Sequence, residues 1–104
     1  KVLKEVRSLV DGLRGDTKLR QNLEKSLNES RDQVMKRFRT AFPTLKEEDY
    51  LIYMFTVAGF SSATISTLLE KDKPYVYNRL YRIKERIKNA QNPDSDFLLA
   101  QLER

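Results

Sequence analysis

Apolar residues recur along this chain at spacings of three and four, the period of helices. Over residues 1–13, Leu3, Val6, Val10 and Leu13 form a heptad-like seam that Leu9 widens. Gly12 and Gly15 bend or break that helix, and Asp16 or Thr17 can cap the next. The pattern then predicts one long helix from Thr17 to Ala41, with Leu19, Leu23, Leu27, Val34, Phe38, Ala41 and Phe42 as its stripe. Its middle, Asn28 to Gln33, is polar and interrupts the stripe. Pro43 ends it, because the residue before a proline resists the α conformation.

A second group of elements follows. Glu47, Glu48 and Asp49 suit the first turn of a helix that carries Tyr50, Leu51, Met54, Phe55, Val57 and Ala58 and stops at Gly59. Phe60 turns inward, and Ser61 or Ser62 caps a helix over about Ser62–Glu70 with Ile65, Leu68 and Leu69 on one face. Lys71-Asp72-Lys73 is a tight polar turn. Asp72 can cap the next helix and Pro74 suits its first turn. That helix puts Val76, Leu80, Ile83 and Ile87 on one face, and it stops in Asn89–Pro93. Asp94 or Ser95 caps a last helix with Phe97, Leu98 and Leu102. The expected core is Phe42, Leu45, Leu51, Met54, Phe55, Phe60, Ile65, Leu68, Leu69, Val76, Leu80, Ile83 and Ile87. The expected fold class is all-α: a helical extension over 1–43, then a helix-turn-helix unit over 44–104.

A short helix, a tight turn and a longer basic helix make the helix-turn-helix pattern. Residues 73–90 hold six basic side chains and one acid. With Val76 buried, a wheel of about 100° per residue points Asn78, Tyr81 and Arg82 outward. Tyr75, Tyr77, Arg79 and Arg86 lie on the flanks. Arginine can read guanine, asparagine can read adenine, and tyrosine can touch phosphate or a thymine methyl. The expected DNA-contacting set is therefore Lys73, Tyr75, Tyr77, Asn78, Arg79, Tyr81, Arg82 and Arg86. Arg82 and Asn78 would face the bases, and Lys73, Tyr75 and Arg79 the phosphates. The plain alternative for each is a solvated amphipathic helix; the preceding helix, the turn and the aromatic-basic interleaving together favour the DNA reading.

At this point the chain resembles a family. From Leu45 to Ile87 it is similar, without a gap, to the LuxR-type helix-turn-helix of bacterial transcription regulators. The likeness rests on Leu45, Asp49, Gly59-Phe60-Ser61, Ile65-Ser66-Thr67-Leu68-Leu69, Val76 and Leu80-Tyr81-Arg82-Ile83. The departures are Thr64 for a usual acid, Tyr75 for Thr or Ser, and Tyr77 for a frequent Lys. The resemblance implies a four-helix domain whose last helix closes the core and often dimerises. A helical stretch followed by Phe38-x-x-x-Phe42-Pro43 and the motif also looks like the cytoplasmic end of membrane-anchored regulators with a sensor upstream. The chain begins at Lys1, which suggests a piece of something longer.

Composition narrows the alternatives. With no His and no Cys, the commonest general base, disulfides and thiolate metal sites are gone, and no cofactor or metal is expected. Nor is there a glycine-rich phosphate loop, a paired carboxylate constellation or a signal-peptide pattern. An enzyme, and with it a small-molecule substrate, is the least expected class. Glu47, Glu48 and Asp49 point around a helix rather than to one place, which argues against a metal site. The net charge of +5 sits in the first part: residues 1–44 hold eleven bases and six acids, residues 45–104 nine of each.

The leading expectation is a cytoplasmic DNA-binding transcription regulator, or the cytoplasmic part of a membrane-anchored one. Its partner would be double-stranded DNA, and the 1–13 seam would supply a homodimer contact or a link to a sensor region. Net neutrality of 45–104 and the tyrosines at 75 and 77 support the alternative, a helical protein-interaction module that has kept the fold without DNA. A sigma-factor-like promoter binder shares the motif.

Overall fold

The computed structural model describes residues 17–103. The seam Leu3–Leu13 and the Gly12–Asp16 bend lie outside them. The described residues form six helices and no strand: α1 (Thr17–Ser30), α2 (Val34–Ala41), α3 (Glu47–Val57), α4 (Ser62–Leu69), α5 (Lys73–Ala90) and α6 (Ser95–Ala100). α5 is the hub and packs against α3, α4 and α6.

The long helix expected over 17–41 is two helices. Asp32 and Gln33 sit in the left-handed region, at φ 52° and 61°, and reverse the chain. The polar run Asn28–Gln33 that interrupts the apolar stripe is the hinge itself. Asn28 closes the break: its Oδ1 accepts from the backbone N–H of Met35 and Lys36, at 2.9 and 3.1 Å, and so caps α2 from inside α1. The two helices are then clamped. Arg39 donates from Nε and Nη2 to the two Glu24 oxygens, both at 2.9 Å, and its guanidinium lies 4.4 Å from the Tyr50 ring centroid. The Glu24 hydrogen bond, the largest cause, raises the Arg39 pKa above its ordinary value.

The break lets α2 turn its face fully inward. Val34, Met35 and Phe38 have no exposed surface, and Phe38 stacks on Tyr53 with ring centroids 4.0 Å apart. Tyr50 meets Phe38 edge-on at 5.7 Å, and its hydroxyl donates to the Phe42 carbonyl. Phe42 leaves the helix at φ −132°, as Pro43 demands. Residues 34–42 thus share one core with the helices after Pro43.

α3 is buried on nearly every side: Tyr50 through Phe55 and Val57 are all inaccessible or nearly so. Of the expected core, Phe42, Leu51, Met54, Phe55, Ile65, Leu68, Val76, Ile83 and Ile87 are buried; Leu45, Phe60, Leu69 and Leu80 are half-buried against it. Gly59 takes φ 97° just past α3, a conformation that suits a residue without Cβ. α6 closes the core with Leu98. Tyr53 donates to the Leu98 carbonyl at 2.8 Å, and burial pushes its phenol pKa up. Asp94 begins α6 without a side-chain cap bond; its carboxylate takes Arg37 at 2.7 Å instead, while the Arg37 guanidinium sits over Phe97. Ser95 donates to the Ile87 carbonyl at 2.8 Å and ties α6 to the end of α5.

Candidate nucleic-acid interface

The candidate site is the outer side of α5 and the turn that presents it. Ser61 caps α4 by accepting from Thr64 N–H at 3.2 Å. α4 ends at Leu69, and Glu70 takes φ 57°, so the turn is Glu70-Lys71-Asp72, one residue earlier than the sequence pattern suggested. Asp72 accepts from Tyr75 N–H at 2.9 Å, and Pro74 occupies the first turn, where its missing N–H costs nothing. Val76, Ile83 and Ile87 lock the inner face of α5 into the core.

The opposite face is open. Tyr77 and Tyr81 are the exposed large hydrophobic residues of the described chain, at 59% and 65% exposure. They stand one turn apart. Asn78 and Arg82 are exposed beside them, as are Lys73 at the start of the helix and Arg86 near its end. Aromatic faces and cations therefore alternate along one solvent-facing side.

Two expected contact residues are turned another way. Arg79 does not reach outward to a phosphate: its Nη2 donates to Asp49 Oδ1 at 2.5 Å, with side chains only 19% and 11% exposed. Tyr75 donates its hydroxyl to a Glu48 carboxylate oxygen, a bond that raises the Tyr75 pKa. The reason is the first turn of α3. Its three consecutive acids point in three directions, Glu47 to Arg39 of α2 at 3.5 Å, Glu48 to Tyr75 and Asp49 to Arg79. They fasten α3 to both neighbours, which is why no metal-like convergence forms. Among the described residues no group of three or more acidic, His or Cys side chains could hold a metal ion.

Sequence reasoning missed this pairing. The signal was present, an acid pair at 48–49 and an aromatic-cation pair at 75 and 79, but the register between two helices is not written in either one.

Beside the outer face lies a cleft of about 290 Å³ lined by Leu45, Asp49, Arg79, Arg82, Ile83 and Arg86. A larger groove of about 790 Å³ runs between α1, α2 and α3, past Glu24, Arg39, Leu51 and Met54; no residue of α5 lines it. No described helix is long and apolar enough to cross a membrane. No family model, curated protein or solved structure matches the chain.

Proposed function

We propose that this chain is a DNA-binding transcription regulator, or the C-terminal part of one, with a LuxR-type helix-turn-helix formed by α3–α6 and α5 as the helix that enters the major groove. One observation carries the proposal: α5 is locked into the core by Val76, Ile83 and Ile87 while Tyr77, Asn78, Tyr81 and Arg82 stand exposed on the other side. A bare aromatic pair between cations is an uneconomical surface for a solvated helix, and a useful one against base edges and thymine methyls. The assignments within it follow exposure. Asn78, Tyr77 and Tyr81 face the bases, and Lys73 at the helix start faces a phosphate. Arg79 and Tyr75, tied to Asp49 and Glu48, position the helix and read no base. The seam at 1–13 supplies a homodimer contact; sedimentation of the chain with and without residues 1–15 tests that separately.

Electrophoretic mobility shifts on selected and random duplexes across a salt series test the function. Binding that weakens steeply with salt is expected, and Asn78→Ala should cost about 1–3 kcal/mol on the selected duplex while relaxing preference at one position. The two exposed tyrosines also favour a second reading, a protein-interaction module. No duplex binding at any salt would overturn the first reading and leave the second.

A further inference from the structure

Arg79, Arg82 and Arg86 recur at spacings of three and four, so on a wheel of about 100° per residue they fall within about 60° of one another. The stripe lies on the flank of α5 that faces the start of α3, and all three arginines line the 290 Å³ cleft. The far wall is Leu45, next to Thr44, to whose hydroxyl oxygen Arg86 donates at 3.4 Å. Asp49 is the cleft's one acid, and it is already engaged by Arg79. Three arginines less one aspartate leave a balance of +2. Among the described residues Arg82 has no ion pair, and Arg79 Nε is buried without a hydrogen-bond partner. The exposed Arg82 guanidinium therefore offers the cleft N–H donors that no ion pair engages, behind which Arg79 adds charge rather than an open donor. The cleft's volume, roughly ten waters at about 30 Å³ each, leaves ample room for a phosphate group and lies at the lower edge of the roughly 300–1,000 Å³ of organic-ligand pockets, so the lining charge and not the size selects the ligand. That suits a small, multiply charged oxyanion.

We infer that this cleft binds a phosphate group, with Arg82 and Arg86 as its two arms and Arg79 as its back wall. Under the proposed function, on which the source of the phosphate rests, the group is a backbone phosphate of the bound duplex. Arg82 then clamps the backbone instead of reading a base, as its outward wheel position alone had suggested. Planar guanidinium groups match the oxygens of phosphate two at a time, which a lysine stripe would not do.

The test has two arms on the folded chain. In the first, Arg82→Gln and Arg86→Gln are compared with Lys88→Gln, an exposed cation outside the cleft. Both cleft variants should weaken selected and random duplexes alike and flatten the log-affinity against log-salt slope by about 0.9 each, while Lys88→Gln changes it by less. In the second, inorganic phosphate is titrated against the arginine Nε–H signals in NMR, with chloride at equal ionic strength as control. A saturable shift at Arg82 and Arg86 with phosphate only is expected. If the wild type binds duplex and the cleft variants keep its slope, or if Arg82→Gln relaxes sequence preference, the clamp is wrong while the DNA reading stands. If the wild type binds no duplex but phosphate saturates the arginine signals, the cleft stands and the DNA reading falls. Linear shifts identical to chloride would overturn the cleft in either case.

Discussion

Replacing Asp49 by Ala strands a guanidinium in the joint between α3 and α5. In the folded chain Asp49 is 8% exposed, and the Arg79 side chain bonded to it is 19% exposed with its Nε already unsatisfied. Removing one partner of a buried pair costs about 3–5 kcal/mol, mostly the penalty of the charge left behind. Because some water reaches the arginine, the low end applies, about 3 kcal/mol. For a unit of this size each kcal/mol moves the melting midpoint by about 4–8 °C, so a drop of roughly 12–24 °C is expected. That is a large part of a total stability of about 5–15 kcal/mol. The pair itself is not the source of that stability. Replacing both partners by apolar groups, Asp49→Leu with Arg79→Met, should return to within about 1 kcal/mol of the wild type. Urea melts followed by circular dichroism on Asp49→Ala and on the four corners of the Asp49→Leu/Arg79→Met cycle measure both quantities. A loss below about 0.5 kcal/mol for Asp49→Ala would refute the claim that the bond is shielded. A double variant as unstable as the sum of the two single ones would refute the claim that the stranded charge carries the cost.

Three further outcomes are expected. Tyr53→Phe should cost about 1 kcal/mol at neutral pH through loss of its bond to the Leu98 carbonyl. It should also remove a pH dependence. A tyrosine in the unfolded chain ionises near pH 10, whereas burial keeps the folded phenol protonated above that. The unfolded state therefore binds fewer protons, and wild-type stability falls by up to about 1.4 kcal/mol per pH unit above pH 10; melts from pH 8 to 11 that decline equally in the variant would contradict this. Asn28→Ala removes the acceptor for two α2 amides and should cost about 0.5–2 kcal/mol, read from urea midpoints, with no loss implying that α1 is not needed to start α2. Leu80→Ala should cost only about 1–2 kcal/mol, because Leu80 is half-buried where Ile83 is almost fully covered; a loss as large as that of Ile83→Ala would show the helix turned further inward.

The parts of this protein that were legible in the chain are those governed by neighbours in sequence. Asp72 and Pro74 start α5, Ser61 starts α4, Gly59 ends α3 and Pro43 ends α2, because a cap or a breaker acts within three or four residues of itself. The inner face of α5 was equally readable, since Val76, Ile83 and Ile87 repeat at a helical spacing. What only the tertiary structure decided are the relations between elements. The helix 17–41 divides because Asn28 can serve amides seven and eight residues ahead, a bond that exists only once the chain has turned back. Arg79 and Tyr75, indistinguishable by spacing from DNA contacts, are drawn to Asp49 and Glu48 because α3 happens to cross α5 with its acidic turn beside them. Arg82, outward on an isolated helical wheel, borders a cleft because Leu45 comes up against that flank. A helical period states which residues share a side; which side meets which neighbour depends on how all the apolar faces can be buried at once, and that is a property of the assembled core.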